Sequence, residues 1–233
     1  MFQEIQKSLN AKIIPGKAEI LARFFKTGKG QYGEGDIFIG VMVPDIRAVA
    51  KKYKDVDFVI IKKLLKSKIH EERLLALLIL VEKLNKADEI LKKKIFDFYL
   101  SQTKYVNNWD LVDLSCRFIV GDFLFTKNRQ VLYKLAKSKN LWQRRIAIVS
   151  TYAFIRRNDL LDTFKIAKIL LSDKEDLIHK AVGWMLREAG KKDENKLLCL
   201  LDKEAPNMPR TTLRYSIEKL TPTMRKRYLC VKM

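Results

Sequence analysis

From Val43 onward, apolar residues recur at three- and four-residue spacing, and no sustained two-residue alternation appears. This is the period of a helix with one buried face, and it argues against sheet. Several long segments also resemble one another: "EERLLALLILVEKL", "WQRRIAIVSTYAFIRR", "IHKAVGWMLREAGKK" and "PRTTLRYSIEKL". Each opens with polar or basic residues, continues with small and aliphatic ones, and ends in charge. They are separated by roughly 35 residues or a multiple of that, the length of two helices and two turns. The pattern predicts an all-α chain: a right-handed α-solenoid of about six HEAT-like helix pairs. It is read as a single domain over residues 1–233; an ordinary bundle of similar helices is the alternative.

One stretch interrupts the helices. "TGKGQYGEGDIFIGV" holds five of the nine glycines and defines a Gly-rich loop at 27–40. Gly28, Gly30 and Gly33 match the dinucleotide fingerprint letter for letter. That motif works only between a strand and a helix, where the helix N-terminus receives a pyrophosphate. Here it follows the helical "AEILARFF" with no parallel-sheet pattern after it, so it reads as a flexible structural loop.

Charge narrows the partners. The formal net charge is +20, with Lys and Arg spread along the whole chain rather than gathered in a tail. An excess of this size attracts a polyanion over long distance, and nucleic acid is the expected partner ahead of an anionic membrane. The longest apolar run, Leu74 to Val81, is far short of the ~20 residues that span a bilayer. "MFQEIQKSLNAKIIPGK" has no signal-peptide core. Cys116, Cys199 and Cys230 are isolated, as expected of reduced thiols in the cytosol. The two histidines, His70 and His179, lie far apart, which disfavours a zinc site or a Ser-His-Asp centre. No metal is expected.

Against this basic background, "YVNNWDLVDLSCRFIV" places a tryptophan and two aspartates in a helical run. Asn107 or Asn108 is positioned to cap the helix entered at Trp109. Asp110 falls in its first turn, where a carboxylate favours the helix dipole. Leu111, Val112, Leu114, Phe118 and Ile119 form the expected core stripe. Trp109, Asp113 and Arg117 follow at i, i+4 and i+8, away from most of it. Asp113 is thus either one half of a solvated pair with Arg117 or a carboxylate beside an aromatic ring. A second tryptophan repeats the arrangement. Around Trp184 the core positions are Ala181, Val182, Met185 and Leu186, while Trp184 shares its face with Lys180 and Arg187. Tryptophan faces hold cations, and basic neighbours hold phosphates.

"GVMVPDIRAVAKKY", "NNWDLVD", "LWQRRIAIVSTYAFIR" and "DLIHKAVGWMLRE", in this order and spacing, resemble the AlkD-type DNA alkylation-repair glycosylases over nearly the whole chain. The resemblance implies a HEAT-like solenoid with a basic concave cleft. It also implies hydrolysis of the N-glycosidic bond of cationic alkylpurines, such as 3-methyladenine or 7-methylguanine, without flipping the base into a pocket. Asp113 corresponds to the family's catalytic aspartate, Trp109 and Trp184 to its cleft tryptophans, and Arg145 and Arg187 to its cleft arginines. Lys180 adds a basic group beside Trp184. Phe24 and Met42 align with further cleft positions, where the best-known type carries an aromatic and an amide, and the Gly-rich loop looks like an insertion relative to that type. The implied partner is double-stranded DNA containing alkylated bases, bound by a monomer with no cofactor, in a cytoplasmic, nucleoid-associated setting. The same composition and fold also suit a noncatalytic DNA-binding solenoid or, less readily at this charge, a protein scaffold.

Overall fold

The structure, a computed structural model, describes residues 1–230. Among the described residues the fold is all-α. No strand forms, and one isolated parallel bridge joins Ile37 and Ile69. Among the described residues no helix is long and apolar enough to cross a membrane. The chain divides into two compact units, Met1–Ser115 and Cys116–Met233, with the boundary inside the helical stretch that follows Asp113.

Helix starts are set by local chemistry. Asp57, Asp88 and Asp193 each accept a hydrogen bond from the backbone N–H three residues on. Asn140 accepts from Trp142 and Gln143. Each such cap contributes about 1 kcal/mol by satisfying an N–H that the helix leaves orphaned.

In the first unit the organising element is the helix His70–Leu84, packed by Val43–Lys52 and Phe58–Leu65. Every residue from Leu74 to Leu80 is buried, so this helix is apolar all round rather than amphipathic. Its polar opening is buried as well. His70, Glu71, Glu72 and Arg73 are each almost fully removed from solvent, and burial of such groups is tolerable only when each is partnered. Glu72 accepts from the Gln6 amide at 2.9 Å. Glu71 accepts the backbone N–H groups of Ile39, Gly40 and Val41.

Those bonds tie the glycine loop to this helix. Its C-terminal end is fastened to Glu71, and its tip is closed by Gly30 N–H donating to Glu34 and Gly33 N–H donating to Lys26. At Gly33 a Cβ would lie 2.4 Å from the Phe25 carbonyl oxygen, so the chain closes there only with glycine.

In the second unit Asp176–Gly190 is central, packed by Leu141–Ser150, Leu161–Leu170, Glu194–Glu204 and Arg210–Ser216. Gly183 lies against Arg210–Ser216, where a Cβ would fall 2.4 Å from Tyr215 Cβ and 2.7 Å from the Thr212 oxygen.

The sequence period has a structural counterpart inside each unit. Arg73 Nη1 reaches back to the carbonyls of Ser67 and Lys68, six and five residues earlier. Arg144 Nη1 does the same to Ser138 and Lys139, at 2.9 and 3.0 Å. His179 Nε2 donates to the Asp173 carbonyl, again six residues back, at 2.6 Å. These three positions stand near multiples of the ~35-residue repeat. In each, a side chain early in the helix ties down the turn before it.

Candidate functional site

The expected continuous helix from Trp109 does not persist. Trp109–Asp113 is α-helical, a turn follows at 114–115, and Arg117–Gly121 is a π-helix. The core face shifts across this break, from the turn at 114–115 through the π segment. Leu111, Val112 and Ile119 are buried as expected, but Leu114 and Phe118 are only half-buried, and Ser115 and Cys116 lie inside. Arg117 has a half-buried side chain whose guanidinium lies over Phe118 and Tyr152, at 4.4 and 5.4 Å from the ring centroids.

In the first unit the structure brings Trp109 and Asp113 onto one short, firmly held helix, one turn apart and both half-buried. Asn108, fully buried, accepts the Trp109 backbone N–H at 2.8 Å. The Trp109 indole stacks on Phe25 at 5.0 Å and 15°, and Phe25 stacks on Phe38 at 4.9 Å and 21°. Its Nε1–H donates to the Tyr32 hydroxyl at 3.2 Å. Phe24, 62% exposed, meets the indole edge-on at 5.8 Å. Trp109 thus has one ring face against protein and its nitrogen engaged, which fixes its plane. Met42, half-buried, is the N-cap of the Val43–Lys52 helix, and its side chain makes no capping bond.

Beneath this helix lies a buried ionic cluster that sequence reasoning missed. Asp110 is more than a dipole partner: its Oδ2 lies 2.8 Å from His70 Nε2 and its Oδ1 accepts the Leu111 N–H. The other imidazole nitrogen, Nδ1, faces Asp36 Oδ2 at 3.2 Å. Arg73 Nη2 donates to Asp36 Oδ1 at 2.6 Å, and the Asn108 amide donates to Asp36 Oδ2. Burial pulls the His70 pKa down, but the hydrogen bonds to Asp110 and Asp36, with the Asp110 charge, outweigh burial and the opposing Arg73, so it rises above 6.5. Burial likewise pushes Asp36 up, but His70, Arg73 and Asn108 together hold it below 3.8. Two faint signals marked this cluster: the four polar residues "HEER" at the head of the most apolar run, and Tyr32 and Asp36 among the loop glycines.

The second unit carries the other expected residues. Ala181, Val182, Met185 and Leu186 are fully buried and Trp184 is half-buried beside them, as the helical pattern implies. Tyr152 lies 6.1 Å from its ring, tilted by 35°. Arg187 is paired with Glu218 and with Glu188, and Lys180 with Asp176 at 2.7 Å. Arg145 is buried and donates from Nη1 to the Leu177 carbonyl at 2.5 Å. Among the described residues no group of His, Cys, Asp and Glu could hold a metal ion.

Comparison with known proteins places this architecture. A solved structure described as "Predicted DNA alkylation repair enzyme from Enterococcus faecalis" superposes with a TM-score of 0.70, covering 91% of this chain and 98% of that one at 16% identity. At that identity the likeness carries the fold alone. No curated protein matches the sequence. Residues 5–220 match the family of DNA alkylation repair enzymes. With nearly all of its length inside that match, the chain belongs to the DNA alkylation repair enzyme family.

Proposed function

We propose that the protein is a monofunctional DNA glycosylase that hydrolyses the N-glycosidic bond of cationic alkylpurines in duplex DNA. The observation that carries this reading is the Trp109–Asp113 helix. A carboxylate stands one turn from an indole whose plane is fixed by Phe25 and Tyr32, on a helix anchored by Asn108 and Asp110. A site built on a rigid element with buried support holds its geometry through the reaction.

The chemistry needs little else. A purine alkylated at ring nitrogen three or seven already carries positive charge and departs as a neutral base, so no general acid is required. Loss of the base leaves an oxocarbenium-like sugar. Asp113 stabilises that charge and orients the water that adds to C1′. Trp109 in the first unit and Trp184 in the second each offer a ring face to a cationic nucleotide. Arg145, Arg187 and Lys180 bind backbone phosphates, with Phe24 and Met42 as further DNA contacts.

The test is release of 7-methylguanine or 3-methyladenine from methylated duplex DNA by the wild type and by Asp113→Asn. The expected result is release by the wild type and loss of about two to three orders of magnitude in the variant. Undiminished release by the variant refutes the site. Salt-sensitive duplex binding without release, even at enzyme excess, would instead favour a noncatalytic damage binder.

A further inference from the structure

The buried ionic cluster is not accounted for by glycosidic hydrolysis itself. His70 is 1% exposed, and both of its ring nitrogens face carboxylates. A neutral imidazole can donate from only one nitrogen. A neutral ring would therefore leave Asp36 or Asp110 facing a lone pair inside the protein, a costly arrangement. With both nitrogens protonated, the charges balance: His70 and Arg73 against Asp36 and Asp110. These are the ionised groups that face the ring: Asp36 from the loop, Asp110 from the helix of Asp113, and Arg73 from the helix of His70. Its remaining neighbours, Phe25 and Phe38, are neutral rings at 5.0 and 4.4 Å. Glu71 and Glu72 are turned to the loop amides and to Gln6.

Each partner leads to the candidate site. Asp110 sits three residues before Asp113 on the same short helix. Asp36 belongs to the loop whose Tyr32 accepts the Trp109 indole N–H. Phe25 and Phe38 bridge the imidazole to the indole by stacking. A single proton on His70 therefore ties the glycine loop to the helix that carries both Trp109 and Asp113.

We propose that His70, held as an imidazolium between Asp36 and Asp110, is a positioning residue that locks the 27–40 loop onto the Trp109–Asp113 helix, so that its deprotonation loosens both residues. The effect on catalysis rests on the glycosylase reading; the lock itself does not.

The test uses the full chain labelled with 15N. NMR titration of the His70 ring nitrogens is expected to show both protonated near neutral pH, losing a proton only above 6.5. The Trp109 indole N–H resonance, identified with Trp109→Phe, is expected to shift at the same midpoint. Single-turnover base release should fall along that curve as pH rises. In Asp36→Asn the midpoint of all three should move to lower pH, because a carboxylate that favours the charged ring is gone. His70→Gln should lose the alkaline limb and about tenfold in single-turnover rate, with duplex affinity within about threefold of the wild type. A His70 ring neutral near pH 7, or a midpoint unmoved by Asp36→Asn, would overturn the proposal. If the wild type releases no base, the glycosylase reading fails, while the ring and indole titrations still decide the lock.

Discussion

Replacing Gly183 by alanine sets two effects of opposite sign against each other, and the structure decides which wins. Gly183 lies inside the Asp176–Gly190 helix, where alanine is favoured over glycine by about 1 kcal/mol. The added Cβ, however, would lie 2.4 Å from Tyr215 Cβ and 2.7 Å from the Thr212 backbone oxygen. Neither atom is the free end of a side chain, so no rotamer change relieves the overlap, and the Arg210–Ser216 helix must move away. Overpacking of this kind costs about 1–3 kcal/mol. Two clashes against backbone-fixed atoms put this site at the upper end, so the expected net loss is about 1–2 kcal/mol. For a unit of this size that is a fall in Tm of about 4–12 °C. Urea unfolding followed by circular dichroism should show a lower midpoint with an unchanged slope. Gly190→Ala is the internal control. There the closest atom is Leu197 Cδ2 at 2.4 Å, a side-chain end, but Leu197 is buried and its Cβ lies at 3.3 Å, so a smaller loss of about 1 kcal/mol is expected. A Gly183→Ala protein as stable as the parent would refute the argument that close helix approach, rather than helix propensity, selects glycine at this position.

Tyr32→Phe removes the acceptor of the Trp109 indole N–H while keeping the ring. It should cost about 1 kcal/mol in unfolding free energy, and the indole N–H resonance should broaden or move. Arg144→Met strips the partner from Asp173, whose carboxylate is largely buried and accepts Arg144 Nε at 2.5 Å. The expected loss is about 3 kcal/mol by thermal or urea unfolding, whereas Lys93→Met, which breaks an exposed ion pair, should be nearly silent. Glu218→Gln removes one of the two carboxylates paired with Arg187, leaving Glu188, and under the proposed function duplex affinity should rise roughly two- to fivefold in a low-salt titration. The stability conferred by the His70 proton should be complete below pH 6.5 and vanish as pH rises through the raised folded value. That conferred by Asp36 is present above pH 3.8 and vanishes as pH falls through its depressed value. Unfolding measured across pH should therefore show the lock at full strength between those limits, and a curve in Asp36→Asn identical to the wild type would exclude it.

The sequence alone determined the helical class and the repeat, because both follow from local spacing. A three-to-four residue period identifies a helix with one buried face, and the ~35-residue recurrence marks a repeated pattern of helices. It also offered Asn107 or Asn108 as the cap of the helix entered at Trp109, of which the structure uses Asn108, since a cap is a contact between near neighbours in the chain. It separated Trp184 from Val182 and Met185 for the same reason. Tertiary structure decided the rest. Nothing local announces that the polar "HEER" opening is buried, because its partners Gln6, Asp36, Gly40 and Asp110 lie 31 to 66 residues away. Nor does spacing show that the helix breaks into a turn at 114–115 ahead of the π segment Arg117–Gly121, with Leu114 and Phe118 half-buried and Ser115 and Cys116 buried. Asp110 read as a helix-start acid favouring the dipole. Only long-range packing made it one of two buried carboxylates gripping His70, because charge compensation in a protein interior depends on what folding brings within hydrogen-bond reach, whatever its distance along the chain.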